Sequence, residues 1–295
     1  MTQKPWHGIV VASTLPFTDD LSVDYDRFQQ HVRYLADNGV DGITPNGSLG
    51  EYQVLTAKER ARVVEAAVEA APEGFSVIPG VGAYGSAESL RWTEQAQAAG
   101  ADAVLALPPN SYRASDDEVV AHYREVAKAG LPIVAYNNPF DTRIDLTAEL
   151  LSRVAEIDQV VAVKEFSGDI RRITSIQRLA PQIDVLSGAD DNVFEATLLG
   201  AVGWIGGFSN ALPQQCAKIY EYGTTGQVEK GRALYAHLQA AFFWDTTHQF
   251  VQAIKLAQDV AGGYGGPCRA PRGPLPDDVR EQVVKDVEQA LAATL

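Results

Sequence analysis

Lys164 has both the residue type and the setting for covalent chemistry. It ends Val160-Val161-Ala162-Val163, a β-branched apolar run that reads as a buried parallel strand. Glu165-Phe166-Ser167-Gly168-Asp169 then turns the chain toward a helix. An ammonium at the end of such a strand is costly to bury without a partner. Lowering its pKa relieves that cost, and the neutral ε-amine is a nucleophile toward carbonyl carbon. The plain alternative is a structural lysine paired with Glu165 or Asp169.

Four other segments place chemistry at strand ends. In Pro45-Asn46-Gly47-Ser48-Leu49-Gly50-Glu51-Tyr52, glycines free backbone N–H groups to surround a carboxylate, and Ser48 adds a hydroxyl. The same loop also reads as an ordinary strand-to-helix turn. Tyr136-Asn137-Asn138-Pro139 offers a phenol that can pass a proton or orient a hydroxyl, although packing is the commoner use of such a tyrosine. Ser187-Gly188-Ala189-Asp190-Asp191-Asn192 reads first as a helix cap and second as a polar substrate contact, with Gly188 at the strand end. Ile205-Gly206-Gly207-Phe208-Ser209-Asn210 offers open backbone groups to a pocket border. Asn110, Asp141, Arg143, Asp190 and Ser209 are the candidates for substrate selectivity. An amine, a phenol, a hydroxyl and a carboxylate-sized nest together fit Schiff-base chemistry on a 2-oxo acid. The lysine attacks C2, the iminium acts as electron sink, and an acid/base moves a proton at C3. None of these roles requires a metal or a separate cofactor.

The elements that must position these residues alternate. Asn38-Gly39, Ala99-Gly100, Gly130 and Leu199-Gly200 each end an amphipathic stretch at a glycine able to take the left-handed conformation, with a short strand following. The spacing of Gly39, Gly100 and Gly130 suits a repeated βα unit. Strands are expected at 8–13, 42–45, 76–80, 103–107, 133–136, 160–164, 185–188 and 203–206. Helices are expected at 24–38, 56–70, 86–99, 116–129, 147–155, 169–179, 192–199 and 213–222. Eight of each favour a (β/α)8 TIM barrel over an open doubly wound sheet, whose active site would lie at the C-terminal strand ends. Gly80-Val81-Gly82-Ala83-Tyr84-Gly85 lacks the spacing of a phosphate-binding loop. Beyond Tyr222 the stretches 227–246, 249–260 and 276–295 read as helices without strands. The expected organisation is a catalytic barrel over 1–222 and a helical region over 223–295 packed on it.

Composition narrows the partners. The 295 residues hold 46% hydrophobic and 21% charged side chains, an ordinary globular balance. A net charge of −14 without a Lys/Arg cluster argues against nucleic acid. No apolar run is long enough for a bilayer, and Met1-Thr2-Gln3-Lys4-Pro5-Trp6 has no signal pattern. The two cysteines, Cys216 and Cys268, are far apart, which fits a reduced cytoplasmic setting. The five histidines form no ligand motif, so no metal site is expected.

Gly47-Ser48-Leu49-Gly50-Glu51, Tyr136-Asn137-Asn138-Pro139, Val163-Lys164-Glu165 and Ser187-Gly188-Ala189-Asp190-Asp191 resemble the dihydrodipicolinate synthase / N-acetylneuraminate lyase family over nearly the whole chain. The resemblance implies a TIM barrel with a C-terminal helical region, class I Schiff-base catalysis and a homotetramer. It implies that Lys164 forms the Schiff base and Tyr136 relays protons. Ser48, with the Gly47–Leu49 backbone, would hold the substrate carboxylate, and the Ile205 carbonyl would line the pocket. Three segments depart from the synthase pattern. Ser48-Leu49 stands for two threonines, and Asp141 stands where an arginine would grip an aldehyde's carboxylate, the nearest arginine being Arg143. Ser111 stands for a tyrosine shared across a subunit interface.

Pro45 to Tyr52, Tyr136 to Pro139 and Arg269-Ala270-Pro271-Arg272 look most like 1-pyrroline-4-hydroxy-2-carboxylate deaminases of hydroxyproline breakdown. That likeness implies ring opening at C2, loss of the 4-hydroxyl as water, and release of 2,5-dioxopentanoate and ammonia. The same imine also suits a 5-dehydro-4-deoxyglucarate dehydratase, a 2-keto-3-deoxy sugar acid aldolase or a 4-hydroxy-tetrahydrodipicolinate synthase. A barrel that only binds a 2-oxo acid is the non-catalytic alternative.

Overall fold

The computed structural model of the chain describes residues 4–294, so Met1-Thr2-Gln3 and the last residue of the helix expected over 276–295 lie outside the described residues. Eight parallel strands follow one another: β1 Gly8–Ala12, β2 Gly42–Thr44, β3 Ser76–Val77, β4 Val104–Ala106, β5 Ile133–Asn137, β6 Val160–Glu165, β7 Asp184–Ser187 and β8 Gly203–Gly206. Their order β3-β2-β1-β8-β7-β6-β5-β4 puts the first and last strands side by side. The seam between β3 and β4 is closed by a parallel bridge from Gly80 to Leu105, with Leu105 N–H donating to the Pro79 carbonyl at 2.9 Å. The expected (β/α)8 barrel is therefore what forms. β3 is shorter than the expected 76–80: Ile78 and Gly80 still donate to the Ile43 and Pro45 carbonyls, but Pro45 has no N–H to return a bond to β3.

Helices alternate with the strands: α1 Tyr25–Asp37, α2 Ala57–Ala70, α3 Ser86–Ala99, α4 Asp116–Val126, α5 Pro139–Thr142, α6 Ala148–Val154, α7 Arg171–Leu179, α8 Val193–Leu198 and α9 Pro213–Thr224. Gly39, Gly100, Gly130 and Gly200 all have positive φ, as their place after a helix requires. Asp169, the expected start of α7, lies outside it and accepts the Arg171 N–H with its side chain. The short α5 was not expected from periodicity, and its signal is local. Asn138 caps it by accepting the Asp141 N–H, and Pro139 occupies the first turn.

Inside the barrel, Val10, Ile78, Leu105, Val134, Ala162 and Leu186 form one apolar cluster. Side chains two residues apart share a face of a strand. Tyr136 and Lys164 therefore continue the inward rows begun by Val134 and Ala162, and the β5–β6 register sets them directly opposite each other.

The C-terminal region comprises α10 Val228–Phe242, a 3₁₀ turn Phe243–Thr246, α11 Phe250–Val260 and α12 Asp277–Leu291. Leu238, Phe242, Val251, Ile254 and Val287 join Ile9, Val11, Trp204 and Phe208 in one buried cluster. α9 runs through the expected boundary at 222, ending at Thr224. Among the described residues no helix is long and apolar enough to cross a membrane.

Candidate active site

A cavity of about 1520 Å³ opens at the C-terminal ends of the strands. Lys164 stands at its floor, 5% exposed, with its Nζ 4.2 Å from the centre of the Tyr136 ring and 5.6 Å from that of Phe166. The structural-pair alternative does not form. Glu165 accepts the Asn137 amide at 2.9 Å and the Ser167 N–H at 2.6 Å, while Asp169 is bound by Arg171. Burial lowers the Lys164 pKa from 10.5 to about 8, against the opposing attraction of Asp245 and Asp190. A neutral amine is thus present in a useful fraction near neutral pH.

Two glycines make room for this arrangement. A Cβ on Gly188 would lie 2.7 Å from the Glu165 carbonyl and 3.0 Å from the Lys164 Cε. One on Gly207 would lie 2.8 Å from an Asp245 carboxylate oxygen. A Cβ at either position would force these neighbouring atoms to shift.

Burial, followed by the charges of Asp245 and Asp141, raises the Tyr136 pKa, so the phenol stays protonated. Asn138 donates to its hydroxyl at 3.3 Å and to Asp141 at 2.8 Å, linking the phenol to the rim. Gly47, Ser48, Leu49, Gly188, Asp141 and Arg143 all line the cavity, as does Asn110. Strand-end position was enough to bring these together.

Two expected substrate contacts at the end of β8 differ in placement. The Ile205 side chain joins the barrel's apolar cluster, while Gly206 and Gly207, which follow the Ile205 carbonyl, line the cavity. Ser209 is fully buried behind that wall, because the chain turns into a 3₁₀ segment at Phe208. Asp190 corrects another reading. It neither caps α8 nor lines the cavity, but accepts N–H groups from Trp204 at 2.9 Å, Gly207 at 3.1 Å and Phe208 at 2.7 Å.

Sequence reasoning missed Asp245. This carboxylate, in the 3₁₀ turn after α10, lines the cavity and accepts the Asp190 N–H at 3.4 Å. Burial raises its pKa from 3.8 to about 7, with the attraction of Lys164 pulling the other way. A lone acid inside Phe242-Phe243-Trp244-Asp245 was the available signal, since an aspartate in an aromatic run is a candidate for burial. Among the described residues no group of three or more His, Cys, Asp or Glu is placed to hold a metal.

A closed barrel with a buried lysine at its mouth has the arrangement that a Schiff-base lyase requires. Residues 5–290 match the model of the dihydrodipicolinate synthetase family, and the chain belongs to that family. It is 32% identical over 288 residues to the 4-hydroxy-tetrahydrodipicolinate synthase of Methanothrix thermoacetophila, covering 96% of both chains. It is 30% identical to the enzyme of that name from Methanospirillum hungatei, covering 97% of this chain and 99% of the other. The crystal structure of dihydrodipicolinate synthase from Aquifex aeolicus superposes with a TM-score of 0.91 at 26% identity, covering 96% of this chain and 98% of that one. Enzymes of the family are lyases that hold substrate as a covalent Schiff base on a lysine and use no external cofactor, and this chain is a lyase of that family.

Proposed function

We propose that Lys164 forms the Schiff base and that the substrate is a hydroxylated C5 imino or 2-oxo acid, with 1-pyrroline-4-hydroxy-2-carboxylate deamination as the activity. The observation that carries the first part is the unpaired amine of Lys164, buried beside the Tyr136 phenol with its pKa near 8. Lys164 adds to C2 of the cyclic imine and the ring C–N bond opens. The iminium acidifies C3, a proton leaves there, and the 4-hydroxyl departs as water with Tyr136 as the nearby acid. Loss of a C5 proton and reprotonation at C3 convert the C5 amine, through its enamine, into an imine. Hydrolysis at C5 and C2 then releases ammonia and 2,5-dioxopentanoate and restores the Lys164 amine. Ser48 and the Gly47–Leu49 backbone hold the carboxylate next to C2.

Asp141 supports this choice over aldehyde condensation. It lines the cavity where the synthase pattern has a carboxylate-gripping arginine, and a like charge there repels a second acidic substrate. The names of the relatives favour a second reading, 4-hydroxy-tetrahydrodipicolinate synthase, in which Arg143 would take the grip. A homotetramer belongs to the same proposal, supported by Tyr84, Tyr112 and Phe140, which are exposed at the cavity rim.

The test is incubation of the purified chain with 1-pyrroline-4-hydroxy-2-carboxylate, with pyruvate plus aspartate 4-semialdehyde, and with 5-dehydro-4-deoxyglucarate and 2-keto-3-deoxygluconate. Ammonia release from the first substrate is the expected result. Consumption of the semialdehyde with no ammonia from the pyrroline would replace the deaminase reading by the synthase.

A further inference from the structure

We propose that Asp245 is the acid/base serving the Lys164 nitrogen, with Asp190 as the second buried carboxyl behind it. This rests on the reading of Lys164 as the Schiff-base residue.

Three observations carry it. Asp245 and Lys164 line the same cavity, and the segment from Gly188 to Asp190 joins them: Lys164 packs its Cε against Gly188, and the Asp190 N–H donates to Asp245. Asp190 sits outside the cavity and receives only donors, from Trp204, Gly207 and Phe208. Burial, followed by the charge of Asp245, raises the Asp190 pKa well above the ordinary carboxylate value, against these donors. Two interacting buried carboxyls do not both ionise readily, so a proton held on Asp190 leaves Asp245, the one with access to the cavity, as the base. The charged and titratable groups facing Asp245 are Lys164 on β6, Asp190 and Asp191 after β7, and Tyr136 on β5.

In its ionised form, Asp245 takes a proton from the Lys164 ammonium. The freed amine attacks C2 of a 2-oxo acid: the C–N bond forms, the C=O π pair moves to oxygen, and a nitrogen proton passes to that oxygen. Asp245 then returns its proton to the carbinolamine hydroxyl. The C–O bond breaks, water leaves, and the nitrogen lone pair closes the iminium. Ammonium plus ketone thus become iminium plus water, and Asp245 ends ionised as it began.

The probe is pyruvate with borohydride. The rate of adduct formation at Lys164 is followed by mass across pH 6–9 in the wild type, Asp245→Asn and Asp245→Ala. Asp245→Asn should slow trapping about 100-fold or more at neutral pH, in the range expected for a lost general acid/base. Formate added to Asp245→Ala should restore the rate in proportion to its concentration. A carboxylate acting only as counter-charge predicts the opposite sign. Its removal would lower the Lys164 pKa further and speed trapping at pH 7. Trapping by Asp245→Asn at or above the wild-type rate overturns the proposal while leaving Lys164 in its role. No adduct in the wild type overturns the Schiff-base reading itself.

Discussion

Lys164 and Lys255 are both buried lysines of one barrel, 5% and 1% exposed, but they have opposite surroundings. Lys255, on α11, reaches the Glu51 carboxylate at 2.9 Å and the Pro267 carbonyl at 2.7 Å. Glu51 also accepts the Arg269 N–H at 3.1 Å, while the Arg269 guanidinium binds Glu59 and the Leu21 and Val54 carbonyls. That cluster ties the loop after β2, which carries Ser48, to the C-terminal region. Lys164 has aromatic faces beside it and, among the described residues, no carboxylate within ion-pair distance. Burial with partners makes a structural charge. Burial without them makes an amine that gives up its proton.

The largest effect that could break this contrast is on chemistry. Lys164→Ala should abolish the borohydride-trapped adduct and lower turnover by roughly 10⁴-fold or more, as loss of a covalent nucleophile does. Lys255→Met should leave adduct formation possible in whatever protein remains folded. If Lys255→Met lost the adduct and Lys164→Ala kept it, the assignment would be reversed.

Stability should respond with opposite signs. Lys255→Met strands Glu51 in a buried site and should cost about 3–5 kcal/mol in urea unfolding, with much of the loss recovered when Glu51 is made neutral as well. Lys164→Met should stabilise the protein at pH 7, by about 1–3 kcal/mol, since it removes an amine whose charged form is disfavoured in the fold.

The smallest effect is the pH course of that gain. The folded pKa of Lys164 is depressed to about 8 from 10.5, so between those values the unfolded chain binds the extra proton. Wild-type stability attributable to this group therefore rises from pH 8 toward 10.5, and the advantage of Lys164→Met shrinks over the same window. An advantage that stayed constant to pH 10 would mean that Lys164 titrates normally.

Much of the site was legible because a parallel barrel makes strand ends converge. Once Val160–Val163 and Ile133–Ala135 read as strands, Lys164 and Tyr136 had to meet at one mouth, and Ser48 with them. Asp190 was visible but misread, since its direction depends on three N–H donors from the β8 side, which no local pattern announces. α5 was hidden by its length, too short to show helical periodicity, although Asn138-Pro139 carries its capping signal.

The sequence by itself determined the barrel, the inward rows of its strands and the lysine at the end of the sixth, because side-chain alternation is a local property of the chain. Only the tertiary structure decided that Asp245 enters the cavity, that Ser209 leaves it, and that one buried lysine finds a carboxylate while the other does not. Those outcomes depend on how α10 and α11 pack against β1 and β8, contacts between segments far apart in the chain whose geometry no local periodicity encodes.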